Sequence, residues 1–72
     1  MEPPFKPTYI RAWRKERGMT MVELAQKADM LQGHLSRLER GHLPYNQQSL
    51  ERLARALRVS PGMLLDTDPA RD

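Results

Sequence analysis

Apolar residues recur along this chain at helical spacing, and the polar positions between them mark where each helix starts and stops. Ile10 and Trp13 fall three apart in a stretch closed by Gly18, which predicts a first helix from a Thr8 cap to Arg17, with Arg11, Lys15 and Arg17 pointing outward. Thr20-Met-Val-Glu23 is a capping box, flanked by Met19 and Leu24 as the matching hydrophobic staple. It opens a second helix whose buried stripe is Leu24, Ala25 and Ala28, the alanines letting a neighbouring helix come close. A short corner follows. The stretch Asp29–Gly41 then reads as a third helix with Leu35 and Leu38 inward, Asp29 as its cap, Gln32 reaching back to that cap, and Gly41 as a left-handed stop.

After the loop His42–Tyr45, Asn46 is placed to cap a fourth helix carrying Leu50, Leu53, Ala54 and Leu57 on one face and Arg52, Arg55 and Arg58 off it. Ser60-Pro61 is a cap and first-turn signature for a short fifth helix with Met63, Leu64 and Leu65, the two leucines being divided between core and a possible dimer surface. No alternating strand pattern and no repeat occur. The expected fold is all-α, five short helices, with the second and third joined tightly as a helix-turn-helix. Three prolines among residues 1–7 predict an extended arm, residues 8–66 a folded domain, and residues 67–72 a fraying tail.

Length and composition narrow the picture. Seventy-two residues allow one small core, and the absence of cysteine removes disulfides and zinc–thiolate sites as staples. No apolar run is long enough to span a bilayer, and residues 1–7 lack a signal-peptide core, so a cytoplasmic protein without membrane contact is expected. The net charge of +3 is uneven: the body is basic, whereas the end carries Asp66, Asp68 and Asp72 against Arg71. A polyanionic partner is compatible with that distribution.

Candidate chemistry follows from the third helix. With Leu35 and Leu38 inward, Gln32, Gly33, Ser36 and Arg37 share the outer face, and glutamine and arginine are the side chains that pair bidentately with adenine and guanine edges. Enzyme motifs are missing: there is no glycine-rich phosphate loop, no metalloprotease helix and no cysteine nucleophile. His34 and His42 have no partner at metal-ligand spacing, and no cofactor is expected.

The run Ile10-x-x-Trp13-Arg14-x-x-x-Gly18-Met-Thr20-x-x-Glu23-Leu-Ala25-x-x-Ala28 resembles the Cro/repressor-type, XRE-like helix-turn-helix family. The likeness continues through Leu35-Ser-Arg-Leu-Glu-Arg-Gly41, Leu50-x-x-Leu53-Ala-x-Ala-Leu57-x-Val59 and Leu64-Leu65, covering residues 8–66 without a gap. The resemblance implies a lambda-repressor-like domain that binds double-stranded DNA, usually as a homodimer, and regulates transcription. Base contacts would come from Gln32, Gly33, Ser36 and Arg37. Phosphate contacts would come from Thr20, Met21, His34, Arg40, Tyr45, Asn46 and Gln47, helped by the unpaired N–H groups of helix N-termini. Arg14 and Glu39 hold positions that form a buried ion pair in relatives.

Three residues depart from the family pattern. Met21 stands where relatives carry a contacting glutamine, Leu31 where they carry a capping serine or threonine, and Gly33 where they carry a base-reading side chain. The implied function is a sequence-specific repressor. The alternatives are the antitoxin of a toxin–antitoxin pair and a protein-interaction module of the same fold that has lost DNA binding, which the three departures favour.

Overall fold

The computed structural model describes residues 8–70; the expected arm of residues 1–7 and the last two residues of the tail lie outside it. Five helices follow one another in the described residues: α1 (Ile10–Glu16), α2 (Met21–Lys27), α3 (Gln32–Glu39), α4 (Gln47–Leu57) and α5 (Met63–Asp66). Their inward faces are those the periodicity predicts. Ile10, Leu24, Leu35, Leu53, Leu57 and Leu64 are fully enclosed, with Trp13, Ala25, Ala28, Leu38, Leu50 and Ala54 completing the cluster. Burying one such leucine is worth about 1.5–3 kcal/mol, so this cluster is the main source of stability. Of the leucine pair in α5, Leu64 enters the core and Leu65 is half-buried at its edge.

Two helix starts match their local signals. In α2 the Thr20 hydroxyl accepts from the Glu23 N–H (3.1 Å) while the Thr20 N–H donates to Glu23 Oε1 (3.0 Å), a complete capping box. In α4 the Asn46 Oδ1 accepts from the Ser49 N–H at 2.7 Å. The others differ from expectation. The residue before α1 is Tyr9, and its N–H donates to the Leu64 carbonyl at 2.7 Å; the Thr8 hydroxyl, expected as the cap, accepts only a long bond from the Ile10 N–H at 3.4 Å, so a contact with the far end of the chain positions this helix. Ser60 contributes its carbonyl to the Met63 N–H (3.0 Å) rather than a hydroxyl cap, and α5 is a four-residue helix preceded by Gly62.

Helix ends decide the corner between α2 and α3. The N–H of Asp29 donates to the Gln26 carbonyl and that of Met30 to the Ala25 carbonyl, the paired bonds of a Schellman motif. Such a motif needs one left-handed residue, and Asp29 supplies it at φ 55°. Asp29 therefore terminates α2 and does not cap α3. A residue held in the left-handed region cannot also take the extended conformation that a cap requires. That role falls to Leu31, at φ −71° and ψ 141°, whose side chain offers no hydrogen bond. The same paired bonds close α1 at Gly18, α3 at Gly41 and α4 at Arg58, all at positive φ.

Long-range polar contacts fasten the helices to each other. Trp13 Nε1 donates to the Thr67 carbonyl at 2.9 Å and, less directly, to the Met63 carbonyl at 3.3 Å. Thr67 is thereby held against α1 rather than frayed. Arg17, expected to point only outward, lays its guanidinium over the Trp13 ring at 5.2 Å from the centroid and donates through Nε to the Leu57 carbonyl at 2.8 Å. Between α1 and α3, Arg14 Nε and Nη2 grip the two Glu39 oxygens at 2.8 and 3.2 Å, and Arg14 Nη1 reaches the Met19 carbonyl at 3.1 Å. The two side chains are only 12% and 2% exposed.

A buried pair costs most when half of it is removed. Glu39→Ala, which strands the guanidinium, is expected to destabilise the domain by about 3–5 kcal/mol. Arg14→Met combined with Glu39→Leu should recover most of that loss. Thermal melts followed by circular dichroism separate the two. The Glu23 carboxyl is held below its ordinary range by the Thr20 N–H first, then by the Thr20 hydroxyl, with Lys27 adding a favourable charge. Its contribution is present above the unfolded value of about 4.3 and is lost as pH falls through the lowered folded value. Glu23→Gln should thus melt below the parent at neutral pH, the gap narrowing as the pH is taken below about 4.

Candidate nucleic-acid interface

The outer face of α3 begins with Gln32 in the first helical position, and its amide is not engaged by Asp29, which belongs to the end of α2. Gln32, Gly33, His34, Arg37 and Arg40 are exposed and Ser36 is half-buried. Neither the Gln32 amide nor the Arg37 guanidinium has a hydrogen-bond or ion-pair partner among the described residues. Arg40 lies back along the last turn, with Nε 3.4 Å from the Ser36 carbonyl. The result is a helix face that carries two unspent planar hydrogen-bonding groups, five positions apart.

The flanks are more committed than the sequence implied. The Thr20 hydroxyl and N–H are both used in the capping box, so the N-terminus of α2 has the N–H groups of Met21 and Val22 left for an anion. Met21 is half-buried and packs on the core, which explains an apolar residue at that position. At the start of α4, Asn46 spends its side-chain oxygen on Ser49 and Gln47 donates to Glu51 at 3.1 Å. Tyr45 leans on the core alongside Leu43. His34 and His42 are both exposed, and among the described residues no three histidine or acidic side chains gather in a group that could hold a metal ion.

One cation was passed over in the sequence. Arg11, read there as merely outward, lines a cleft with Met21, Ser36 and Arg40, floored by Arg14 and Glu39. Because Glu39 is paired with Arg14 inside the fold, its charge is neutralised. Arg11 and Arg40 remain the exposed charges at this cleft. No local pattern joins Arg11 to Ser36; α1, packed on α4 and α5, is tied to α3 by the Arg14–Glu39 pair, and that brings them together. Among the described residues no helix is long and apolar enough to cross a membrane.

Residues 10–64 match the family model described as helix-turn-helix. The chain belongs to the Cro/repressor-type helix-turn-helix family. It is 42% identical over 59 residues to the HTH-type transcriptional regulator SinR of Bacillus subtilis (strain 168), a match that covers 79% of this chain and 52% of SinR. The chain thus spans about half the length of that relative. Among solved structures it superposes on SinR in complex with DNA with a TM-score of 0.75 at 40% identity, covering 79% of this chain and 92% of that one. The P22 c2 repressor in complex with a synthetic operator gives a TM-score of 0.73 at 32% identity, over 82% and 89% of the two chains. The five helices match lambda-repressor-like domains, with α2 and α3 as the helix-turn-helix of this family member.

Gly33 lies exposed in the first turn of α3. A Cβ built there meets nothing within 4 Å, and the backbone is helical. Packing within the protein therefore gives no reason for glycine. Gly33→Ala should raise stability by about 0.5–1 kcal/mol through helix propensity and lost unfolded-state freedom. Denaturant titration checks this, and an unchanged or lowered midpoint would mean that the helix relies on glycine in some other way.

Proposed function

We propose that this protein is a DNA-binding transcriptional regulator that acts as a repressor. In this reading a homodimer lays α3 of each copy in the major groove, at half-sites about 34 Å apart. The observation that carries the proposal is the outer face of α3, where Gln32 and Arg37 present planar hydrogen-bonding groups that the fold leaves unengaged. A helix face in the major groove needs such groups, because bidentate pairing to adenine or guanine edges distinguishes one base pair from another. The similarity to SinR and the P22 c2 repressor, both solved with DNA, supports the same use of the domain.

The roles divide by chemistry. Gln32, Ser36 and Arg37 address base edges, and the absent side chain of Gly33 lets the helix backbone lie close to the groove floor. Arg11 and Arg40 serve phosphates flanking the groove, with the N–H groups at Met21 and at Gln47 completing the backbone contacts. Thr20, Asn46 and Tyr45 support these contacts by fixing helix ends and the loop, their side chains being occupied within the fold. His34 lies at the edge of the face.

Selection from random-sequence duplexes, followed by titration of the chosen site at several salt concentrations, tests the proposal. A groove reader selects one site and loses affinity with a log–log slope of about −0.9 for each phosphate neutralised. Arg37→Ala should cost about 1–3 kcal/mol and relax the preference at one base pair, whereas Arg11→Ala should weaken all sequences alike and reduce the slope by about one. If selection at low salt enriches no sequence, the domain is better read as a protein-interaction module.

A further inference from the structure

Leu31 is the most exposed large apolar side chain among the described residues, at 80%. A single exposed leucine on a protein surface ordinarily calls for no account. This one is distinguished by position. Leu31 is the residue from which α3 starts, in the extended conformation of a helix cap, immediately before Gln32. Helices α2 and α4, whose first turns flank α3 in the proposed interface, both carry a side-chain cap, from Thr20 and Asn46. Only α3 of these three starts without one, and substituting an N-cap hydroxyl or amide by an aliphatic residue costs a helix measurable stability. The chain thus forgoes a cap and exposes four apolar carbons at one and the same position.

Resting on the reading of α3 as the groove-facing helix, we propose that Leu31 determines sequence preference by packing on the C5 methyl group of a thymine. That methyl is the one alkyl group on the major-groove edges of B-DNA, where cytosine, adenine and guanine are distinguished by their donors and acceptors. Leu31 borders an open concavity with Ala25 and Met30 on its apolar side and Gln26 and Asp29 on its polar side. The thymine lies next to the base pair that Gln32 addresses, because the two side chains are adjacent at the first turn. Removing water from both the leucine and the methyl supplies the preference. It requires no hydrogen bond, and none is available from this side chain.

Replacing thymine by uracil deletes the methyl group and changes nothing else on the groove edge, which makes the test direct. Each thymine of the selected site is replaced in turn by uracil, and affinity is measured for the parent and for Leu31→Ser. A loss of about fourfold at one thymine, as expected for one methyl group withdrawn from an apolar contact, supports the proposal if Leu31→Ser abolishes it. The serine variant restores a capping oxygen and touches no core residue, so it folds, and its melting curve verifies this. Equal binding of every uracil duplex by the parent overturns the proposal. So does a methyl dependence that persists undiminished in Leu31→Ser. In both of these results the protein still selects a site, and the reading of α3 stands. Failure to select any DNA overturns that reading and this inference together.

Discussion

The Arg14–Glu39 pair is the contact on which the placement of α3 rests. Each side chain comes from a different helix, and Arg14 also holds the Met19 carbonyl in the link between α1 and α2. One guanidinium therefore references three segments to one another. Desolvating two charges is expensive, and an apolar pair of the same volume is often as stable or more so. What the ion pair adds is direction: the planar fork accepts a carboxylate in few orientations, and the leucines of the core do not discriminate between small rotations of α3. Fixing that rotation fixes which residues of α3 face outward. It also buries the single acidic group of α3, leaving the outer face of that helix without negative charge.

Helix ends matter in this protein as much as helix faces. The corner between α2 and α3 consists of one left-handed residue, Asp29, and one extended residue, Leu31, with Met30 between them. Arg52 of α4 donates to the Asp29 carbonyl at 3.3 Å, tying the corner to the next helix. Aspartate tolerates the left-handed region better than most side chains, so the turn is made without glycine. The consequence reaches the candidate interface. Once Asp29 is spent on ending α2, the Gln32 amide has no capping duty and stays available on the outer face.

Stability and recognition pull in opposite directions along α3. An uncapped first turn and a glycine in the second helical position both weaken the helix, and each sits on or beside the outer face. A core of this size offers little surplus to offset such losses. The contacts that offset them come from outside α3: Leu35 and Leu38 are clamped in the core, the ion pair holds the last turn, and Trp13 secures α1 against Thr67 at the far end of the domain. A partner bound to α3 would add stability by mass action, which suits a short helix assembled in this way.

Local patterns in the amino-acid sequence determined the five helices, the leucine stripes, the Thr20–Glu23 capping box and the Asn46 cap. Each of these depends on groups three or four residues apart, and helical geometry alone brings such groups together. The outer face of α3 was legible for the same reason. Tertiary structure decided whatever joins residues distant along the chain. Tyr9 starts α1 because its N–H meets Leu64, Trp13 reaches a carbonyl 54 residues away, and Arg11 joins the cleft beside Ser36 through the packing of α1 against its neighbours. Asp29 shows the limit most clearly. Its side chain suits a cap and its backbone suits a left-handed turn, and both are local propensities of one residue. The bonds of the Asp29 and Met30 N–H groups to Gln26 and Ala25 take the turn, the Arg52 guanidinium, 23 residues away, holds the Asp29 carbonyl in place, and the start of α3 passes to Leu31.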